Sequence, residues 1–144
     1  MVKRLREEWE KYHRGSKLQL VWNDDKTPVG PDKHPGLFSE SIGVLMAKAH
    51  IYDWKKGWEE QDETKQEILW TELKKVWELD ENRKEVTLGR IANNVFKNKK
   101  CKWKKRHYAC HTTYEERVID KPEQLTAQEW IALVEFWDTR PHIM

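Results

Sequence analysis

The chain has 144 residues, of which 38% are hydrophobic and 36% charged, with a formal net charge of only +2. That length fits one domain, or one domain with a tail. Nine Trp supply enough apolar surface for a packed core and exclude a disordered composition, while the near-neutral total excludes a general attraction to polyanions and leaves charge distribution to decide any such role.

Only Cys101 and Cys110 are present, too few for a disulfide framework. No apolar run reaches the roughly 18–20 residues that span a bilayer, and the first residues lack the apolar stretch of a secretory leader. A soluble intracellular protein with no membrane contact is expected.

Residues 2–14 carry Leu5, Trp9 and Tyr12 at helical spacing and predict an amphipathic helix ended by Gly15-Ser16. Residues 17–22 place Leu18, Leu20 and Trp22 on one side of a short extended segment, whose partner strand is not evident. From 23 to 36 the density of Asn, Asp, Pro and Gly predicts a loop without regular structure. Ser39 then offers an N-cap for a helix bearing Ile42, Leu45, Met46 and Ala49.

Tyr52-Asp53-Trp54 and Trp58 read as turn-like, interrupted by Gly57. Asp62 is suited to cap a helix whose apolar stripe is Leu69, Leu73, Val76 and Trp77, widened by Ile68 and Trp70. Residues 80–83 form a turn before a long helix over 86–106. Thr126 and Glu129 make a capping box that opens a last helix with Trp130, Leu133, Val134, Phe136 and Trp137, stopped near Pro141. The expected fold is mainly α: a compact Trp-rich domain of about five helices over 17–140, with a short N-terminal extended or β segment, preceded by the helix in 1–16 and followed by a tail at 141–144.

The helix over 86–106 holds the most distinctive chemistry. At about 100° per residue, Leu88, Ile91, Ala92, Val95 and Phe96 fall on one side, and Arg90, Asn93, Asn94, Lys97, Lys100 and Lys104 on the other. Beyond Asn98 the apolar side is invaded by Lys99, Lys102 and Arg106, so this half is expected to project from the core as a cationic arm. Lys and Arg neutralise phosphates, and Arg and Asn match base edges in a major groove. A solvated face is the plainer explanation of any charge run, and cations near a helix C-terminus are favoured by its dipole. Repulsion between cations at i,i+4 opposes such a helix unless an anion is close. The candidate DNA-binding residues are therefore Arg90, Asn93, Asn94, Lys97, Lys99, Lys100, Lys102, Trp103, Lys104, Lys105 and Arg106.

Trp70, Trp77, Trp130 and Trp137 lie on apolar stripes and are assigned to the core; Trp103, set among lysines, is the exception. Cys101, His107, Cys110 and His111 are chemically suited to zinc, but no Cys-x₂₋₄-Cys pair exists, and a helix points Cys101 and His107 apart. No metal site or cofactor is assigned. No nucleophile with a base, phosphate-cradling loop or paired acids occurs in supporting context, and Asp24-Asp25 fits a turn. A non-catalytic module is expected.

A set of ordered segments resembles the domain of plant transposase-related proteins of the Ptta/En/Spm type. The resemblance is carried by Leu20-Val21-Trp22-Asn23, Pro28-Val29-Gly30-Pro31, Phe38, Ser41-Ile42-Gly43-Val44-Leu45 and Tyr52-Asp53-Trp54. It continues through Lys65, Leu69-Trp70, Leu73, Trp77-Glu78-Leu79, Phe96-Lys97-Asn98 and the tract Lys99-Lys100-Cys101-Lys102-Trp103-Lys104-Lys105. Glu115-Glu116-Arg117, Lys121-Pro122, Gln128-Glu129-Trp130, Leu133-Val134 and Phe136-Trp137 complete it. A looser likeness to Myb-like and trihelix modules rests on packed Trp and a Lys-rich helix. The resemblance implies a nuclear, transposon-derived plant protein that binds double-stranded DNA, without the ribonuclease-H-like catalytic domain of transposition. The alternative from the residues is a protein-interaction module, its basic surface meeting an acidic partner and its Leu5/Trp9/Tyr12 face serving self-association.

Overall fold

The computed structural model describes residues 17–139; the helix expected at 2–14 and the tail at 141–144 lie outside them. These described residues are 65% helical, with five helices and one short antiparallel sheet among them, which makes this a mainly α fold. The sheet is a hairpin of β1 (Val21–Trp22) and β2 (Pro28–Gly30), pairing Val21 with Gly30 and Trp22 with Pro28 across an irregularity. Its turn is an Asx type: the Asn23 side chain accepts from the backbone of Asp25 and Thr27, and Lys26 adopts a left-handed φ of 59°.

The segment over 23–36 is thus more ordered than its turn formers suggest. It contains the partner strand β2, and helix α1 (His34–Ala49) begins ahead of Ser39. Pro35 stands in the first turn, where its fixed φ suits a helix and its missing N–H is no loss. His34 is buried at that start and bonds the Gln19 carbonyl at 3.0 Å, tying α1 to the extended segment. Leu18, in turn, bridges in parallel to Trp77: its N–H donates to the Val76 carbonyl at 2.9 Å, and its own carbonyl accepts from Glu78 at 2.7 Å.

Helix α2 (Glu63–Val76) is capped by Asp62, whose side chain accepts from the Thr64 N–H, and buries Leu69, Trp70 and Leu73. Helices α4 (Tyr114–Ile119) and α5 (Ala127–Thr139) follow the basic region. The capping box at the start of α5 is present in both directions, Thr126 N–H to Glu129 at 2.8 Å and Glu129 N–H to Thr126 Oγ1 at 3.1 Å. Thr113 and Glu116 form a second such box at the start of α4; the same four-residue spacing announces it in the sequence.

Between α2 and α4 the backbone stays helical from 84 to 108. It runs through α-helical Lys84–Val86, a π turn at Thr87–Ile91, the main segment α3 (Ala92–Trp103) and a second π turn at Lys104–Tyr108. A π turn widens the helix and loosens its hydrogen-bond ladder. Within the first one the Leu88 carbonyl accepts the buried Trp58 indole N–H at 2.6 Å.

The core is one aromatic-rich cluster around this helix. Trp54 stacks on Phe96 at 4.4 Å and 7°, and Trp103 meets the Trp54 ring edge-on at 4.7 Å. Phe38 and Trp77 pack edge to face at 5.1 Å, as do Tyr108 and Trp137 at the same distance. Trp70, Trp77, Trp130 and Trp137 are all buried, as the apolar stripes predict. Burial also pushes the Tyr52 hydroxyl, which donates to the Lys65 carbonyl, up to about 12.

Candidate nucleic-acid interface

The basic helix is packed along its whole length and does not project as an arm. Trp103, placed by sequence among the candidate DNA contacts, is only 6% exposed and belongs to the core. Tyr108, five residues further, is buried against Trp137, and its hydroxyl donates to Asp138. Burial and that bond push the Tyr108 hydroxyl up to about 12. Trp103 falls near the Phe96 column on the wheel; the missed signal is Tyr108, which continues the buried column of Ala92, Phe96 and Trp103 once lysine stems are allowed to lie along apolar surface.

The lysines accordingly divide into two sets. Lys99, Lys100 and Lys104 bend back over aromatic rings: Lys99 over Trp103 at 5.6 Å, Lys100 over Phe96 at 5.4 Å, and Lys104 over Trp137 at 5.4 Å and Tyr108 at 6.0 Å. Lys99 also donates to Gln124 at 2.8 Å, and Lys100 to the Lys56 carbonyl at 3.0 Å. Lys99, like the other two, is half-buried. Its stem runs across Gly43 of α1, where a Cβ would stand 2.9 Å from Lys99 Cε, so the glycine makes room for it. Burial, with help from the Lys102 charge, holds the Lys99 amine below the usual lysine range.

Lys97, Lys102, Lys105 and Arg106 are exposed and, among the described residues, make no ion pair. Asn94 and Asn98 are exposed on the same outward face. Lys102 and Arg106 stand beside an open groove of about 630 Å³ between α1 and α3, whose lining also includes Glu40 and Glu123. From 86 to 114 the chain has no acidic residue, so nothing on the helix itself offsets this row.

Two other predicted contacts are engaged within the protein. Arg90 clasps the hairpin turn through the carbonyls of Asp25 and Lys26 and the Thr27 hydroxyl. Asn93 donates to Glu59 at 2.7 Å. The π turn at Thr87–Ile91 shifts the phase between Arg90 and the main segment, which a uniform wheel ignores, whereas Asn93 shares that segment with Lys97 and is taken up by Glu59, from outside the helix. Sequence reasoning also passed over Lys55 and Lys56, exposed in the loop that Lys100 touches.

Cys101 is exposed on the helix, whereas His107 and His111 both bond Asp120, a residue with no role in the sequence reading. No helix among the described residues is long and apolar enough to cross a membrane. No protein-family model, no curated protein and no solved structure matches the chain.

Proposed function

We propose that the protein is a non-catalytic module that binds double-stranded DNA through the outward face of its basic helix. The observation that carries this reading is the row Lys97, Lys102, Lys105 and Arg106: exposed, without ion pairs among the described residues, and mounted on a helix whose opposite side is locked into an aromatic core. Such a row neutralises phosphates at fixed spacing and needs little reorganisation on binding. Asn94 and Asn98, between these cations, have the paired donor and acceptor that adenine presents to a major-groove reader. Lys99, Lys100 and Lys104 support the helix from within. The resemblance to plant transposase-related domains points the same way, to a transposon-derived protein acting on DNA in the nucleus.

The test is duplex retardation at about 0.15 M salt by the parent and by a Lys97→Glu/Lys102→Glu/Lys105→Glu variant. The variant is expected to keep its helical circular dichroism and lose the complex. Retardation equal to the parent's would overturn the assignment. In the parent, log affinity should fall with log salt at a slope of about −3 to −4, as four phosphate contacts require at roughly −0.9 each.

A further inference from the structure

The far end of the basic helix holds a constellation unrelated to its cationic row. The second π turn closes with the Ala109 N–H donating to the Lys104 carbonyl at 2.7 Å, after which the chain leaves the helix at Cys110 and His111. Asp120, at the C-terminal boundary of α4, comes back to the same point. His107 Nδ1 lies 2.9 Å from Asp120 Oδ1, and His111 Nε2 lies 2.8 Å from Asp120 Oδ2.

The Cys110 sulfur completes the group: one ligand atom each from Cys110, His111 and Asp120 lies within 4.8 Å of the other two. The thiol, which donates to the Arg106 carbonyl at 3.1 Å, stands beside the clasp of two imidazoles and a carboxylate and trades that bond for the metal on binding. Sulfur, imidazole nitrogen and carboxylate oxygen together are the donor set of a borderline-soft divalent ion that favours four-coordinate sites. At tetrahedral zinc bond lengths such atoms stand roughly 3.3–3.5 Å apart. The sulfur has to close in by about an ångström and the His111–Asp120 contact to open by about half of one, which side-chain rotation supplies.

We propose that Cys110, His111 and Asp120 bind one Zn²⁺, with water in the fourth position and His107 as a positioning residue that holds the second carboxylate oxygen. On binding, the Cys110 thiol proton leaves to solvent and His111 takes the tautomer with its proton on Nδ1, freeing Nε2 for the metal. Thiolate and carboxylate then neutralise the ion's two charges. The platform is rigid: Arg117 donates to the carbonyls of Tyr108 at 3.1 Å and His111 at 2.9 Å, and Trp130 packs edge-on against His107 at 6.2 Å while its indole N–H donates to the Arg117 carbonyl. Second-sphere support of this kind orients metal ligands. The bound ion would staple the C-terminal end of the basic helix to the end of α4.

The full chain, stripped with chelator and kept reduced, is titrated with Co²⁺ as a spectroscopic probe and then loaded with Zn²⁺ and desalted for metal analysis. One metal per chain is expected, with a thiolate-to-cobalt charge-transfer band and a melting temperature that rises on loading and falls again with chelator. Cys110→Ser should abolish that band while matching the metal-free parent in circular dichroism, since the thiol is exposed. His107→Ala should weaken Zn²⁺ binding by about 10–100-fold with the band retained. No retained zinc in the parent, or loss of the band in Cys101→Ser with its retention in Cys110→Ser, would overturn the site. Unchanged affinity in His107→Ala would overturn the positioning role. None of these readouts involves DNA, so the site and the DNA reading stand or fall separately.

Discussion

The two flanks of the basic helix differ less in composition than in surroundings. On one flank Lys99, Lys100 and Lys104 lie along Trp103, Phe96, Tyr108 and Trp137 and seal the edge of the core; on the other, Lys97, Lys102, Lys105 and Arg106 are exposed and make no ion pair among the described residues. A lysine beside an aromatic residue at helical spacing therefore has two physical uses, as a cover for apolar surface or as a free charge. Which one it serves is decided by where neighbouring elements bring their rings. Trp54, from a loop some fifty residues away, makes that decision for Trp103 and Lys99.

The contrast breaks most visibly if its aromatic pivot is removed. Trp103→Ala should cost about 3–5 kcal/mol, the usual loss for a buried Trp, read as a shifted midpoint in urea unfolding; a loss under about 1 kcal/mol would place Trp103 outside the core. Smaller, and more selective, is truncation of the covering lysines. Lys104→Ala, which strips a cation and its stem from two rings, should destabilise by about 1 kcal/mol, whereas Lys97→Ala on the outward flank should stay within about 0.5 kcal/mol. Equal effects would dissolve the distinction.

Alkaline pH separates the buried groups further. Burial pushes the Tyr52 and Tyr108 hydroxyls up to about 12 in the folded chain, against 10.0 for an ordinary tyrosine. The folded state therefore holds their protons more tightly: their contribution is fully present below about 10 and is lost as pH rises from 10 towards 12. Lys99 acts in the opposite sense, because its folded value is depressed below 10.5. Its unfavourable burial as a cation is present at neutral pH and relieved as pH rises through its folded value towards 10.5. Stability measured from pH 9 to 12 should fall less steeply in Tyr52→Phe than in the parent, and Lys99→Met should remove a small opposing rise. An unchanged profile in Tyr52→Phe would contradict the assignment of its shift to burial. At a helix start remote from both flanks, Asp62→Ala removes the cap of α2 and should lower the urea midpoint without touching either set of lysines.

Local signals were the legible part of the fold. Asp62 and the Thr126/Glu129 box announced two helix starts, and the Trp stripes of α2 and α5 announced which faces are buried. Long-range pairings were not legible. The partner of Leu18 is Trp77, and the partner of β1 hides among turn formers, because two or three residues are too few to show a period of two. At the candidate interface the basic tract was plain, but its division was not. A uniform wheel ignores π turns, and no pattern within residues 86–106 reveals that Arg90 will reach back to Asp25, Lys26 and Thr27. The convergence of Cys110 and His111 on Asp120 was likewise hidden, since Asp120 belongs to the next helix and the spacing fits no familiar ligand pattern.

The central claim is that the outward cations, and not the covering ones, meet the nucleic acid. It is tested most directly by the salt dependence of duplex binding in two variants, Lys97→Gln/Lys102→Gln/Lys105→Gln and Lys99→Gln/Lys100→Gln/Lys104→Gln, each confirmed folded at the measuring temperature. The first should lower the steepness of log affinity against log salt by about 2.7, at roughly 0.9 per contact, and the second should leave it near the parent's. Equal losses in both, or a larger loss in the second, would contradict the account.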